Sequence, residues 1–146
     1  MCAVCASLEV CRADQTCGID PQSIWTVQPV SATVTTMNGT ADWDLGGGAP
    51  DPYVDTWCPS DAGTPSTTPV VTNSFTPTWS TGGCSTTAKE LLSKGYGVDA
   101  FDDDVGSAPD LIAGKGIIAV TEAMLRDGGD VRGNSKISIR LTFTKQ

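Results

Sequence analysis

The chain has 146 residues, 39% of them apolar and only 18% charged, which is enough for one domain with its own core and a small appendage. Its net charge is −8, and no Lys or Arg occurs between Arg12 and Lys89, a stretch that carries seven Asp. That distribution argues against binding to phosphate backbones and against unaided attraction to an anionic membrane. The absence of His removes Ser-His-Asp and Cys-His catalysis and histidine-bearing zinc sites.

Residues 1–22 form a Cys-rich segment with Cys2, Cys5, Cys11 and Cys17 and too few large apolar side chains for a core. Ala3 to Leu8 is expected to form a short helical turn. Four cysteines can pair in three ways, and the spacing does not choose among them. With Cys58 and Cys84 the count is even, as in disulfide-bonded proteins of oxidising compartments. We expect two bridges within residues 2–17 and one between Cys58 and Cys84. A four-thiolate zinc site is the rival reading of the first four. The expected location is secreted, periplasmic or cell-surface. Met1 then stands in place of a removed export signal, and Cys2 is a candidate for lipid attachment.

From residue 23 the pattern is that of short strands. Ile24–Val27 and Val30–Thr35 read as strand, broken or bulged at Pro29. Tyr53–Cys58 reads as the next strand, Pro59–Pro69 as a polar connection, Val70–Thr72 as a strand, Asn73–Pro77 as a turn and Trp79–Cys84 as strand again. Thr87–Gly95 reads as a short helix with a Ser or Thr cap and a terminating glycine. Tyr96–Phe101 and Gly116–Val120 are strands, and Thr121–Leu125 is a helical turn. Lys136–Phe143 alternates cleanly, with Ile137, Ile139, Leu141 and Phe143 on one face. The expected fold is all-β: an antiparallel sandwich of seven to eight strands over residues 23–146, with a short helix, following the disulfide-bonded segment 1–22. Trp25, Trp57 and Trp79 are expected to fill the core or the space between sheets.

Two acidic stretches interrupt these strands, Asp42–Val54 and Val98–Asp110. Each sets carboxylates around a Gly- or Pro-rich turn. Asp102 and Asp104 lie two apart on an extended segment and so point to one side, while Asp103 points away. Two such loops side by side make a bowl of anionic oxygens, which suits a hard cation taking six to eight oxygen ligands. An EF-hand does not fit, because Ala113 stands where the bidentate Glu would be.

In order and spacing, these pieces resemble the C2 domain, the calcium-binding sandwich of protein kinase C and synaptotagmin. Asp44 with Asp51-Pro52-Tyr53-Val54 resembles its first calcium loop and the strand start beyond. Thr76-Pro77-Thr78-Trp79 resembles its Asn-Pro-x-Trp segment. Phe101-Asp102-Asp103-Asp104 with Asp110 resembles its third calcium loop, and Leu111-Ile112, Gly114 and Val120-Thr121-Glu122 resemble the strand that leaves it. The resemblance spans about residues 23–144. It implies Ca²⁺ as the cofactor, held by Asp44, Asp51, Asp102, Asp104 and Asp110 with the carbonyls of Trp43 and Asp103. Trp43 would also shield the cup.

The chain departs from the pattern in three ways. Six residues separate Asp44 from Asp51, one more than usual. The strand after Tyr53 carries Asp55 where a lysine-rich surface is common. The loop tips offer only Leu45 and Val105 as an apolar wedge. The expected function is a non-catalytic calcium-binding C2-like module of an exported protein. Calcium would clamp its loops for adhesion, surface attachment or assembly with an unidentified protein or surface partner. The alternatives are a calcium-dependent membrane-targeting domain and a self-assembling structural subunit of an extracellular polymer. No nucleic-acid partner is expected, and membrane binding is expected to be weak or absent.

Overall fold

A computed structural model describes residues 2, 4–44 and 46–146. After the N-terminal hairpin of β1 (Glu9–Cys11) and β2 (Cys17–Ile19) come β3 (Ile24–Val34), β4 (Pro52–Trp57), β5 (Ser66–Thr67) and β6 (Cys84–Thr87). Helix α1 (Ala88–Lys94), β7 (Tyr96–Asp102), β8 (Asp110–Ile118), α2 (Glu122–Asp127), β9 (Gly129–Gly133) and β10 (Ile137–Lys145) complete the chain. One four-stranded sheet has the order β6-β3-β10-β9 and the other β5-β4-β7-β8. All pairings within them are antiparallel, so the expected antiparallel β-sandwich is the observed architecture.

Period-two alternation builds the core. In β10, Ile137, Ile139, Leu141 and Phe143 are buried while Ser138 and Arg140 are exposed. Trp25, Val27, Ala32 and Val34 of β3 face the same core, against Val54 of β4 and Tyr96, Val98 and Ala100 of β7. Tyr96 meets Phe143 edge-on at 5.8 Å between ring centroids, a favoured aromatic geometry. Strand β3 runs through Pro29 without ending: Arg140 pairs with Ser31 and Leu141 with Pro29, so the expected irregularity is a bulge that leaves Val30 unpaired with β10. Helix α1 has the expected start, with the Thr87 hydroxyl accepting from the Glu90 amide, and Gly95 at its C-cap.

Several local expectations are corrected. Val70–Thr72 is not a strand. It runs beside β4 with a single bond from the Val71 amide to the Pro52 carbonyl. Trp79–Gly83 is a series of bends tied to β3 by the Trp79 amide and the Val30 carbonyl, and the strand begins only at Cys84. Trp57 is half-buried on the outside of its sheet, whereas Trp25 and Trp79 are core residues. Strand β9, the β1–β2 hairpin and the short β5, which lies within the expected polar connection Pro59–Pro69, are additions. Of the turn expected at Ala3–Leu8, Ser7–Leu8 forms a turn closed by the Glu9 amide on the Ala6 carbonyl, and Ala3 lies outside the described residues.

Three disulfides are present: Cys2–Cys11, Cys5–Cys17 and Cys58–Cys84. The first two staple the hairpin, whose Ile19 is fully buried in the core, and Glu9 pairs with Arg126 of α2 at 2.6 Å. The Cys2 sulfur is bonded to Cys11, which corrects the expectation of lipid attachment there, and the sulfurs of the rival zinc reading are likewise bonded to one another. The third bridge joins the end of β4 to the start of β6, and so links the two sheets across 26 residues of sequence. A loop of that length constrains the unfolded chain by about 3 kcal/mol in the chain-entropy treatment. Replacing Cys58 and Cys84 together with Ala should lower unfolding free energy by about that amount in urea titrations monitored by Trp fluorescence.

Candidate metal centre

Strand pairing brings the two acidic loops together. Pro52 pairs with Asp102 across β4 and β7, and Asp102 pairs with Asp110 across β7 and β8. Asp51 just before β4, Asp102 at the end of β7 and Asp110 at the start of β8 therefore lie at one end of the same sheet. Asp42, Trp43 and Asp44 approach from the β3–β4 loop, and Asp103 and Asp104 from the β7–β8 loop.

Carboxylate oxygens of Asp44, Asp102 and Asp104 lie within 4.8 Å of one another. Oxygens on opposite sides of a calcium ion, each about 2.4 Å from it, would be separated by about that distance. Asp102 is fully buried. Its Oδ1 accepts from the Asp51 amide at 2.6 Å, and its Oδ2 is buried with no hydrogen-bond partner. A buried carboxylate oxygen without a partner is costly, and a bound cation would satisfy it. Burial first, and then the neighbouring Asp44, Asp104 and Asp51 charges, push the Asp102 carboxyl up to about 6. Asp104 is raised as well, by burial and then by Asp110 and Asp44. All donors are hard oxygens, with no thiolate or imidazole, a set that fits calcium rather than zinc.

The other candidates take different places. Asp51 turns Oδ1 to the Asn73 amide at 2.5 Å, and its carbonyl accepts from the Asp103 amide at 3.0 Å. Asp110 is exposed and lines a cleft of about 520 Å³ with Asp42, Trp43, Asp44 and Asp104. The Trp43 ring is buried beside this cleft, with Nε1 donating to the Thr35 carbonyl at 2.8 Å. Leu45 lies outside the described residues, while Val105 is fully exposed at the tip of its loop. In the glycine run after Asp44, Gly46 and Gly47 adopt positive φ of 102° and 91°, and a Cβ at Gly48 would come within 2.7 Å of Asp44 Oδ2.

Sequence reasoning passed over two residues of this region. Asp42 lines the cleft, and its position two residues before Asp44 was the available signal. Asn73 braces the first loop by donating its amide to Asp51 and accepting from the Ala49 amide at 3.0 Å. Nothing local in the sequence ties it to a loop more than twenty residues earlier.

No family model matches the chain, and no curated protein matches it. Solved structures do. The C2A and C2B domains of extended synaptotagmin 2 in a calcium-bound form superimpose with a TM-score of 0.61 at 15% identity, over 86% of this chain and 46% of that one. The C2A domain of plant extended synaptotagmin 1 superimposes with a TM-score of 0.60 at 15% identity, over 87% of this chain and 96% of that one. Human GIVD cytosolic phospholipase A2 matches with a TM-score of 0.59 at 15% identity, over 84% of this chain and 17% of its own. The chain spans less than half of the extended synaptotagmin 2 structure and nearly all of the plant domain. It has a C2-like fold.

The acidic cluster makes a prediction for the metal-free protein. A carboxyl whose folded pKa is raised from 3.8 to about 6 binds its proton more tightly when folded. Its contribution therefore becomes unfavourable as pH rises from about 4 through 6. In chelator, Asp102→Asn removes this component while keeping an acceptor for the Asp51 amide. The variant should be more stable than the parent at pH 7, by about 1–2 kcal/mol, and the gap should close at pH 4, as read by urea unfolding at both pH values.

Proposed function

We propose that the chain is a non-catalytic calcium-binding module of an exported protein. Asp44, Asp102 and Asp104 would form the centre of the site, and Asp51, Asp110 and the carbonyls of Trp43 and Asp103 would complete the shell. The observation that carries this reading is the convergence of three carboxylates within 4.8 Å, one of them with a buried, unpartnered oxygen. Calcium would replace mutual repulsion with attraction and so lock the β3–β4 and β7–β8 loops onto each other. The role that follows is a calcium-clamped surface for adhesion, attachment or assembly. Segment 1–22 would serve as a disulfide-bonded appendage to the sandwich of residues 23–146. The three disulfides support an oxidising location, and no helix among the described residues is long and apolar enough to cross a membrane.

The test is a calcium titration followed by thermal melting. Millimolar calcium should raise the melting temperature of the parent by several degrees. The double variant Asp102→Asn, Asp104→Asn should show no calcium-dependent rise. An unchanged rise in that variant sinks the assignment.

The membrane-targeting alternative is favoured by the exposed Val105 at the loop tip. One Val buries too little apolar area for stable insertion. Polybasic attraction, worth about 1 kcal/mol per Lys or Arg, is missing from a strand that carries Asp55. Co-sedimentation with phosphatidylserine vesicles at millimolar calcium should therefore leave most of the protein in the supernatant. Chelator-reversible pelleting would establish the alternative instead.

A further inference from the structure

The outer face of the β5-β4-β7-β8 sheet lies beyond the carboxylate cup and carries an organised set of side chains that the calcium reading does not use. Pro52, Val54 and Thr56 point inward and are buried, so Tyr53, Asp55 and Trp57 point outward. Across the β4–β7 pair these three stand opposite Phe101, Asp99 and Gly97. Tyr53 and Phe101 stack at 5.4 Å between ring centroids. Lys115 of β8 places its Nζ 4.0 Å from the centroid of Trp57. This stack exists because position 97 has no side chain: a Cβ there would lie 2.8 Å from Lys115 Cε and 3.2 Å from Trp57 Cε3. Leu111 and Ile117 flank the row on β8 and are 53% and 69% exposed.

Between the two aromatic groups lie the carboxylates of Asp55 and Asp99. Asp55 accepts a hydrogen bond from the Thr67 hydroxyl. Asp99 is 7% exposed, and its Oδ1 is buried without a hydrogen-bond partner. Burial, followed by the Asp55 charge, raises the Asp99 carboxyl to about 6, while Lys115 opposes the rise. Two carboxylates thus share the field of one ammonium, and that ammonium sits on an indole ring rather than on the unpartnered oxygen. The strip is an electronegative face with aromatic side chains at either end, already holding an alkylammonium from its own chain.

We propose that this face recognises a lysine side chain of a partner polypeptide, whose ammonium seats over Trp57 and against Asp55 and Asp99 in the place Lys115 now holds. An ammonium over an indole is attracted by the ring quadrupole. In that place it would also lie in the field of the Asp55 and Asp99 carboxylates. Tyr53, Phe101, Leu111 and Ile117 supply apolar contact along the strand for the residues beside that lysine, which a lone inorganic cation would not use. The same two carboxylates repel phosphate-bearing lipids and nucleic acids. Lys115 acts as the resident competitor: an incoming lysine has to displace it, and removing it opens the site.

The probe is tetralysine amide, titrated into the full chain in chelator and again at saturating calcium, with Trp fluorescence as the readout. Lys115→Ala should bind about tenfold more tightly than the parent, and Asp99→Asn and Trp57→Leu each about tenfold more weakly. Asp99→Asn relieves a buried charge and so keeps the fold. The cup variant Asp102→Asn, Asp104→Asn should bind as the parent does, with or without calcium. Equal weakening in the cup variant would reduce the effect to general attraction by an acidic protein and overturn the proposal. So would an unchanged or weaker affinity in Lys115→Ala. Failure of calcium binding in the cup leaves these outcomes unaffected, so the two readings fall separately.

Discussion

Carboxylate crowding at one end of the sandwich is the constraint on which the loop architecture depends. Asp102 is buried with one oxygen unpartnered, and Asp44 and Asp104 lie within 4.8 Å of it. Such an arrangement is unfavourable unless something cationic occupies its centre. The chain holds the carboxylates there by backbone hydrogen bonds, which are indifferent to the repulsion. The Asp51 amide fixes Asp102, the Asn73 amide fixes Asp51, and strand register fixes Asp102 opposite Pro52 and Asp110. The rest of the sandwich supplies the rigidity that keeps these groups together.

That rigidity comes from the core and from one covalent tie. The alternating faces of β3 and β10 bury Trp25, Val27, Ile139 and Leu141 almost completely. The Cys58–Cys84 bridge joins the sheets at the end of β4 away from the cup. A low-charge, turn-rich chain of this size buries a limited apolar area, so a cross-link that shortens the unfolded chain matters more here than in a larger domain. The N-terminal hairpin is held differently. Two disulfides shape it internally, and Ile19 with the Glu9–Arg126 ion pair docks it against α2 and the core.

The same sheet carries two chemically distinct surfaces. Its loop end gathers the carboxylates of Asp44, Asp102 and Asp104. Its outer face sets Asp55 and Asp99 between the Tyr53–Phe101 stack and the Trp57–Lys115 pair. A C2-like sandwich with an acidic, aromatic strand face departs from the lysine-rich surface expected of the resemblance. With that change in sign, the electrostatic attraction that a lysine-rich face offers to lipid phosphates is missing from this face.

The alternating and capped segments were legible in the sequence because their signals are local. The Ile137–Phe143 alternation, the Thr87 cap with Gly95 at the helix end, and the acidic loops flanking Tyr53 and Phe101 each follow from a few neighbouring residues. The order of the acidic loops, with Asp51-Pro52-Tyr53-Val54 and Thr76-Pro77-Thr78-Trp79, carried the C2 resemblance. Other features depended on groups distant in sequence. Val70–Thr72 has strand-like composition, yet only one amide of it finds a carbonyl on β4. Trp57 is as apolar as Trp25, yet it lies outside because alternation from the buried Val54 and Thr56 puts it on the outer face. Asn73 became a brace for Asp51, and Asp99 a buried charge, only once β4, β7 and β8 were paired. Composition and local pattern determined that this chain folds as a disulfide-bonded, acidic β-sandwich. Strand pairing and the paths of the loops it joins decided which carboxylates meet, because the distance between side chains is set across the fold and not by spacing along the chain.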